Sequence, residues 1–322
     1  MLTRRAALAL PMSLLAAPAW AQGGFPQRPL NILVPFAAGG PTDMIARLLA
    51  EGMSKELGQP VTAENVTGAG GTIAAARVAQ SRPDGHTLLI HHIGLAAAAT
   101  LYRQLPFDVL RGLAPLGVVS HTGMVLVARP DFPAADTAGY MAQLRERGEA
   151  LNLGHSGLGG SNQLCALLLQ HAAGRGATQI VFRGSAPAMT EMMAGRLDLS
   201  CEQATVAAPF IRDGRIKGYA VTLPARIPGL DLPTTADAGV GLTMSAWHGL
   251  YAAGGTPPEV QARLAQAIRA ALREERLQAR YAETLTTVAT PAEADPAHHA
   301  RHLASEVERL RPLIVAAGQF AD

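Results

Sequence analysis

The 322-residue chain carries 27 basic and 25 acidic residues, so its formal net charge at pH 7 is only +2. This near-balance argues against a nucleic-acid partner, because that kind of binding needs a net basic face that releases counterions. Cys165 and Cys201 are the only cysteines, which is too few for a fold that depends on disulfides. We predict two buried free thiols, with a disulfide as the alternative.

Residues 1–21 have the features of an export signal. Arg4 and Arg5 form a charged start, Ala6–Ala17 is apolar, and Ala19-Trp20-Ala21 gives the small-x-small pattern that precedes cleavage. The segment is too short and wrongly flanked for a membrane span. Its removal leaves 25 basic and 25 acidic residues. We therefore expect an exported protein without formal net charge, with the general secretory and twin-arginine routes both open.

The first strand–loop–helix unit follows soon after this segment. Leu30–Val34 is a short apolar run, which predicts a strand buried on both faces of a parallel sheet. The loop Phe36–Gly40 leads into a helix that is predicted to begin at Pro41 or Thr42 and to end at Gly58. A glycine loop at a helix N-terminus presents free backbone N–H groups. This arrangement favours an anion-binding site, with a simple tight turn as the alternative.

Two further details of this loop can be predicted. Gly39 and Gly40 are adjacent, and we expect both to adopt positive φ and to present bare N–H groups. Asp43 lies in the first turn of the helix, where a carboxylate interacts favourably with the helix dipole. We interpret Asp43 as a bracket that accepts hydrogen bonds from the N–H groups of the loop.

A second unit of the same kind follows. Val61–Ala63 is predicted to be a strand, Gly68–Gly71 a bare loop, and Thr72 the cap of the next helix. Ile73 occupies the position of the third glycine of a dinucleotide fingerprint, so that type of site is excluded. The apolar run Thr87–Ile90 predicts another buried strand, which ends at two histidines.

The middle of the chain repeats the pattern after the predicted strands Ala114–Val119 and Met124–Ala128. Strands alternate with helices through short turns, which predicts an α/β fold with mostly parallel sheets flanked by helices. The later predicted elements are a helix Thr137–Arg147, a strand Leu151–Leu153 with a helix capped by Ser161 or Asn162, a strand Ile180–Phe182, a helix Ala186–Ala194, strands Leu197–Cys201 and Lys217–Thr222, and helices Pro257–Arg273 and His298–Ala316.

These units divide into two domains. We predict a discontinuous first domain of residues 22–123 and 224–322, and a second domain of residues 124–223. Each has a glycine-loop half-site at the C-terminal ends of its strands, where the ligands of such sheets bind. Crossing strands join the two domains, so the half-sites face a cleft that can close on a ligand.

Three segments of the mature chain resemble the tripartite tricarboxylate transporter substrate-binding family, also called Bug receptors. They are VPFAAGGPTDMIARLLAEGMSKELGQPVTAENVTGAGGTIAAARVAQSRPDGHTLL, VFRGSAPAMTEMMAGRLDL and WHGLYAAGGTPPEV. The resemblance implies a monomeric, two-domain periplasmic binding protein of type II, the Venus flytrap fold, without a cofactor. It also implies a small organic carboxylate as the ligand and the integral-membrane subunits of a transporter as partners.

The resemblance places the ligand against the first glycine loop and against two loops of the middle domain, partly through ordered water. The residues carried over are Phe36, Ala37, Gly39, Gly40, Thr42, Ser156, Gly157, Gly159, Gly160, Ser161, Phe182, Arg183, Gly184 and Ser185. We add three neighbours from their positions alone: the bracket Asp43, His91 at the cleft rim, and Glu202 after the last strand of the middle domain. Glu202 either meets an ammonium group of the ligand or is a plain surface carboxylate.

Enzymatic and metal-binding alternatives find little support in the pattern. Gly154-His155-Ser156 begins a nucleophile elbow, but Leu158 occupies the place of its second glycine. The histidines near strand ends, His91, His92, His121, His155 and His248, lack the spacing of metal ligands, and we interpret them as loop and cleft-rim residues. His298, His299 and His302 fall on one helix and are interpreted as a solvated face.

We therefore predict carboxylate binding without chemistry. A sensory subunit that hands the liganded form to a membrane kinase is the alternative, since its sequence would look the same. The ligand is left open between an organic diacid, an amino acid, an aromatic acid and a nicotinate-like acid.

Overall fold

The computed structural model describes residues 24–321, and the predicted export signal lies outside them. The first half of this part contains four strands and four α-helices. They are β1 (Leu30–Val34), α1 (Pro41–Leu57), β2 (Val61–Asn65), α2 (Thr72–Ala79), β3 (Thr87–His92), α3 (Gly94–Leu101), β4 (Leu113–Ala128) and α4 (Thr137–Arg147). No helix within residues 24–321 has the length and the apolar character needed to span a membrane.

The second half continues the alternation of strand and helix. Its elements are β5 (Asn152–His155), α5 (Ser161–Ala173), β6 (Thr178–Val181), α6 (Ser185–Met193), β7 (Leu199–Gln203), α7 (Ala204–Arg212), β8 (Lys217–Val221), β9 (Ser245–Ala253), α8 (Pro258–Leu272), α9 (Glu275–Glu283), β10 (Thr286–Val288) and α10 (Pro296–Ala317). The predicted α/β class is confirmed, and most predicted elements are present with ends shifted by one or two residues.

The strands are ordered β2-β1-β3-β9-β4-β7-β5-β6, and β8 and β10 also pair with β4. The outer strands pair in parallel: β1 with β2 and β3, and β5 with β6 and β7. The crossing strands β4 and β9 add antiparallel pairs at the centre. The C-terminal ends of β1, β2, β5 and β6 each lead towards a glycine-containing loop.

Strand β4 is a single strand of 16 residues, where the sequence predicted two. The polar run from Ser120 to Gly123 interrupts the apolar pattern, yet Ser120 and Thr122 are fully buried because strands cover them on both sides. Along β4 the partner changes between Gly123, which pairs with Ser245 of β9, and Met124, which pairs with β7. The predicted domain boundary falls at this change, and the full domain limits stay a prediction.

Thr222 follows β8 directly, at the point where the chain returns from the second predicted domain to the first. Its backbone N–H donates to the carbonyl of Met124, and its own carbonyl accepts from the N–H of Met244. Its hydroxyl donates to the Met244 carbonyl at 2.6 Å and accepts from the Met124 N–H at 3.1 Å. One buried threonine therefore joins β4 to the returning chain.

Three apolar clusters form the core. One lies between β1, β3 and β9 on one side and α1 and α8 on the other, and a second lies under α6 and α7. The largest, which we call the shared core, runs from α2 and α3 past β4 to α4 and α5, with α10 packed along it. The shared core therefore contains residues from both predicted domains.

The expectation of two free thiols is wrong. Cys165 of α5 and Cys201 of β7 form a disulfide, with their Cα atoms 5.9 Å apart. Both cysteines are fully buried, because α5 packs directly on β7. Sequence spacing alone does not reveal which helix face meets which strand, so the pairing was not predictable from the pattern.

The interpretation of the α10 histidines as a solvated face is also wrong for His299, which is fully buried. Its ring lies against Trp247 and Tyr251, and its Nδ1 atom accepts a hydrogen bond from the N–H of Gly117 at 3.1 Å. Burial, with smaller contributions from the neighbouring His302 and His298, lowers the pKa of His299 to about 3. The ring is therefore neutral at neutral pH.

We expect reduction of the Cys165–Cys201 disulfide to lower the free energy of unfolding by about 3 kcal/mol, because the bond closes a long loop in the unfolded chain. The measurement is urea unfolding with and without dithiothreitol. The matched control is the double variant Cys165→Ala/Cys201→Ala, whose stability should not respond to the reductant. Two titratable thiols in the untreated, unfolded protein would contradict the bond.

We also expect the buried histidines to make the protein less stable as the pH falls below 6.5. His299 and His248 have folded pKa values of about 3 against an ordinary value of 6.5. Between these values the unfolded state binds more protons, so falling pH favours unfolding, by up to about 1.4 kcal/mol per pH unit for each ring.

Urea unfolding between pH 7.5 and 5 tests this pH dependence. The variant His299→Gln keeps an acceptor for the Gly117 N–H and should show a shallower slope. Equal slopes in the two proteins would show that His299 does not contribute.

Candidate ligand-binding site

Four loops at the C-terminal ends of parallel strands form the candidate site. We call them loop A (Phe36–Gly40), loop B (Gly68–Gly71), loop C (Ser156–Gly160) and loop D (Phe182–Gly184). Each precedes a helix, respectively α1, α2, α5 and α6. Loops A and B belong to the first predicted domain and loops C and D to the second, so contacts between them bring the two half-sites together.

Loop A is held by the side chain that was interpreted as its bracket. The N–H of Gly39 donates to Oδ2 of Asp43 at 2.9 Å. Asn65 and Arg47 also donate to this carboxylate. Burial opposes ionisation of Asp43, but the hydrogen bonds from Arg47, Gly39 and Asn65 outweigh it and lower the pKa of the carboxyl. Asp43 is therefore an ionised structural acceptor for the loop.

The two glycines of loop A differ in a way the sequence did not indicate. Gly39 has φ +78°, as expected, and a side chain there would be strained. Gly40 has φ −79° and ψ 170°, an ordinary extended conformation, so the expectation of positive φ is wrong for it. Its N–H points to the carbonyl of Ala37 at 3.4 Å. Neither glycine N–H is therefore bare.

Beneath loop A lies a cluster of neutral rings. Phe36 stacks on His92 with ring centroids 4.5 Å apart and meets the edge of His91 at 5.5 Å. His248 lies 5.9 Å from His92, accepts or donates a hydrogen bond with Thr42 Oγ1 at 3.1 Å, and bonds Ser120 through its other nitrogen. The rings support loop A from below.

These histidines are buried, so their interpretation as loop and cleft-rim residues is wrong for His91, His92, His155 and His248. The physical reason is that β3 continues to His92 and lies between β1 and β9. Burial lowers the pKa of His91 to about 4 and that of His248 to about 3. No group of three or more potential metal ligands occurs within the described residues.

The loops of the two predicted domains meet at glycines. A side chain on Gly70 of loop B would come within 2.6 Å of the carbonyl of Leu158 in loop C. A side chain on Gly94, the first residue of α3, would overlap the carbonyl of Gly159. These backbones approach more closely than any side chain permits. Sequence reasoning missed Gly94, although its place directly after β3 was the available signal.

Asn162 organises loop C, a role that sequence reasoning missed. Its Oδ1 atom accepts from the N–H of Ser156 at 3.1 Å, from the Ser156 hydroxyl at 2.7 Å and from the N–H of Gln163 at 2.9 Å. Helix α5 begins at Ser161 with Gly160 as its cap residue, so the predicted side-chain cap is wrong. The Ser156 hydroxyl thus donates to an amide oxygen, which is not a general base of the kind that activates a nucleophilic serine.

Helix α2 also lacks the side-chain cap that was predicted at Thr72. Its cap residue is Gly71, and Thr72 is the first helical residue. The Thr72 hydroxyl donates backwards to the carbonyl of Ala69 at 2.8 Å. In both helices glycine occupies the cap position: Gly71 has φ +95°, whereas a Cβ atom on Gly160 would come within 2.7 Å of the Ser156 hydroxyl oxygen.

Glu202 joins loops C and D from below. Its Oε1 atom accepts from Asn162 Nδ2 and its Oε2 atom from the Ser185 hydroxyl, both at 2.8 Å. It is only 1% exposed, so the surface-carboxylate alternative is wrong. Burial raises the pKa of Glu202, while the hydrogen bonds from Asn162 and Ser185 oppose that rise. Next to it, Gln203 donates to the Ser161 hydroxyl at 3.0 Å, and its Oε1 atom is buried without a partner.

Arg183 is the only cation in the four loops. Its side chain is exposed, and it forms no hydrogen bond or ion pair with the described residues. The structure therefore leaves this guanidinium available at the surface of loop D.

The main polar groups left for a ligand are backbone N–H groups at helix N-termini. Among the described residues, none accepts from the N–H groups of Thr42 and Asp43 at α1, Ser161 and Asn162 at α5, or Ser185 and Ala186 at α6. Such groups bind anionic oxygen atoms and are favoured by the helix dipole. The N–H groups of α1 form one set, in the first predicted domain, and those of α5 and α6 form a second set, in the second predicted domain.

Comparisons of this chain with a family model and with solved structures agree on one protein family. The model of the tripartite tricarboxylate transporter family receptor matches residues 45–319. The chain is similar to the periplasmic binding protein BugD, with 36% identity, a TM-score of 0.84, and coverage of 92% of this chain and 100% of that one. This similarity identifies the fold as a periplasmic binding protein of the Venus flytrap type.

Two solved structures from Rhodopseudomonas palustris carry bound carboxylates. MatC with bound malate is 35% identical, with a TM-score of 0.83 and coverage of 90% of this chain and 100% of that one. A second protein with adipate is 30% identical, with a TM-score of 0.82 and coverage of 92% and 99%. The family resemblance inferred from the sequence is therefore confirmed: this chain belongs to the tripartite tricarboxylate transporter receptor family.

Proposed function

We propose that this protein is a periplasmic receptor that captures a small linear dicarboxylate between its two predicted domains and delivers it to a tripartite tricarboxylate transporter. The observation that carries the proposal is the pair of N–H sets described above, one at α1 and one at α5 and α6. A ligand with a carboxylate at each end can engage both sets. Similar proteins bind malate and adipate, which are both dicarboxylates.

The charges around the site favour recognition of the ligand by neutral hydrogen-bond donors. The rings beneath loop A are neutral because burial lowers the pKa values of His91 and His248. Asp43 is already neutralised by Arg47, with Nη2 and Oδ1 2.9 Å apart. Arg183 is the one loop cation that can add a salt-dependent contribution. We therefore expect oriented amides to supply most of the affinity, and added salt to weaken binding only modestly.

Export and the transporter partner rest on the family and on the sequence. Residues 1–21 have the charged, apolar and cleavage regions of an export signal. Family membership supports periplasmic localisation and a membrane transporter as the recipient of the ligand. Cleavage before Gln22, the monomeric state and the ligand contacts of the individual loop residues stay predictions.

We expect malate, adipate or another linear dicarboxylate to raise the melting temperature of the mature protein. A ligand at 100 times its dissociation constant stabilises the folded state by about 2.7 kcal/mol. The measurement is a thermal-shift screen of a carboxylate panel, followed by titration calorimetry. The matched control is the monoamide of the best ligand, which should bind at least tenfold more weakly. Failure of every dicarboxylate in the panel would overturn the proposal.

We expect Gly40→Val to abolish dicarboxylate binding without unfolding the protein. The φ of Gly40 suits a side chain, and the added Cβ atom would meet only the Ala37 carbonyl at 3.3 Å. The branched side chain would, however, stand before the free N–H groups of α1. Calorimetry measures the loss, with circular dichroism as the folding check.

The matched control for this substitution is Gly176→Val. Gly176 is exposed, has no strained φ, and precedes β6 at the edge of the sheet opposite loop D. This variant should bind the ligand like the unmodified protein. Normal affinity in Gly40→Val would show that the N-terminus of α1 does not contact the ligand.

A further inference from the structure

Glu202 is a fully buried carboxylate that forms no ion pair with any residue between 24 and 321. Its two oxygen atoms accept from Asn162, in the first turn of α5, and from Ser185, the first residue of α6. Both donors are neutral, so the negative charge of Glu202 is offset only by hydrogen bonds and by the positive ends of two helices. The free N–H groups proposed to receive a ligand carboxylate belong to the same two helix ends.

Two negative charges would therefore share one small region if a ligand carboxylate entered while Glu202 was ionised. Like charges at close range raise the pKa of one of the groups strongly. Burial already raises the pKa of Glu202. Protonation would remove the repulsion, and the protonated carboxyl could still accept one hydrogen bond and donate another to the Ser185 hydroxyl.

We propose that Glu202 takes up a proton when the dicarboxylate binds, so that Glu202 sets the pH range in which the receptor holds its ligand. The inference rests on the proposed function, and it assigns to Glu202 a positioning and charge-balancing role beneath loops C and D. Affinity should then fall as the pH rises, because ligand binding must be accompanied by a protonation that becomes less favourable.

The other titratable groups around Glu202 do not offer an alternative partner. The elements packed against it carry His121 on β4, His155 on β5, His171 on α5, Glu191 on α6, Arg212 on α7 and Arg183 in loop D. None of them forms a hydrogen bond or an ion pair with Glu202 in the described part of the chain. His155 accepts from the N–H of Gly157 at 3.1 Å, and Glu191 pairs with Arg196.

Titration calorimetry with malate tests the proposal. Experiments in buffers of different ionisation enthalpy give the number of protons taken up for each ligand bound. For the unmodified protein, at pH values above the pKa of Glu202 in the free protein, we expect net proton uptake and an affinity that falls by up to tenfold per pH unit. Glu202→Gln keeps an acceptor and a donor in place, and it should bind without proton uptake and with little dependence on pH.

Two matched controls identify the titrating group. Glu191→Gln removes a half-buried carboxyl from α6 and should leave proton uptake unchanged. His155→Gln removes the buried imidazole of β5 and should also retain the uptake. Proton uptake that persists in Glu202→Gln, or disappears in His155→Gln, would overturn the assignment to Glu202.

Ser185→Ala provides a second route if Glu202→Gln does not fold. Loss of this hydroxyl removes one donor from the ionised carboxylate, so the pKa of Glu202 should rise and the fall in affinity should move to higher pH. An unchanged pH midpoint would contradict the proposal. Malate binding by the unmodified protein without proton uptake overturns this inference alone, whereas a lack of dicarboxylate binding at every pH overturns the proposed function as well.

Discussion

The continuity of β4 is the constraint on which the rest of the structure depends. One 16-residue strand pairs with β9 up to Gly123 and with β7 from Met124 onward. Backbone hydrogen bonds therefore fix where the strands of one predicted domain end relative to those of the other. Because the glycine loops follow strand ends, the register of β4 also determines how the loops face one another. Thr222 repeats the connection on the returning chain.

The polar groups that the candidate site leaves without a partner among the described residues are mainly backbone N–H groups. Side-chain acceptors are used to hold the glycine loops in shape: Asp43 binds Gly39, and Asn162 binds Ser156. With the loops fixed in this way, the N–H groups at the helix ends stay oriented without a partner. Orientation in advance reduces the entropy lost on binding. The proposed use of backbone groups also agrees with a chain whose formal charges nearly balance.

Local patterns in the sequence were sufficient to predict much of the fold and part of the candidate site. The strand Leu30–Val34, the helix Thr137–Arg147 and the helix end at Gly58 were predicted correctly, because each depends on periodicity or on a glycine conformation in a short window. The burial of His299 and Glu202 was not predictable in this way. Whether a polar side chain is covered depends on elements far away in the sequence, and the Cys165–Cys201 bond has the same cause.

The shared core has a consequence for how the molecule can come apart. Apolar residues of α2 and α3 and those of α4 and α5 belong to one contiguous cluster, with α10 lying along it. Separating the two predicted domains widely would expose this apolar surface to water, which is unfavourable in proportion to the apolar area uncovered. If the two predicted domains rotate apart, the rotation should therefore leave this cluster closed. The two predicted domains should also melt together in one calorimetric transition, and neither should fold as an isolated fragment.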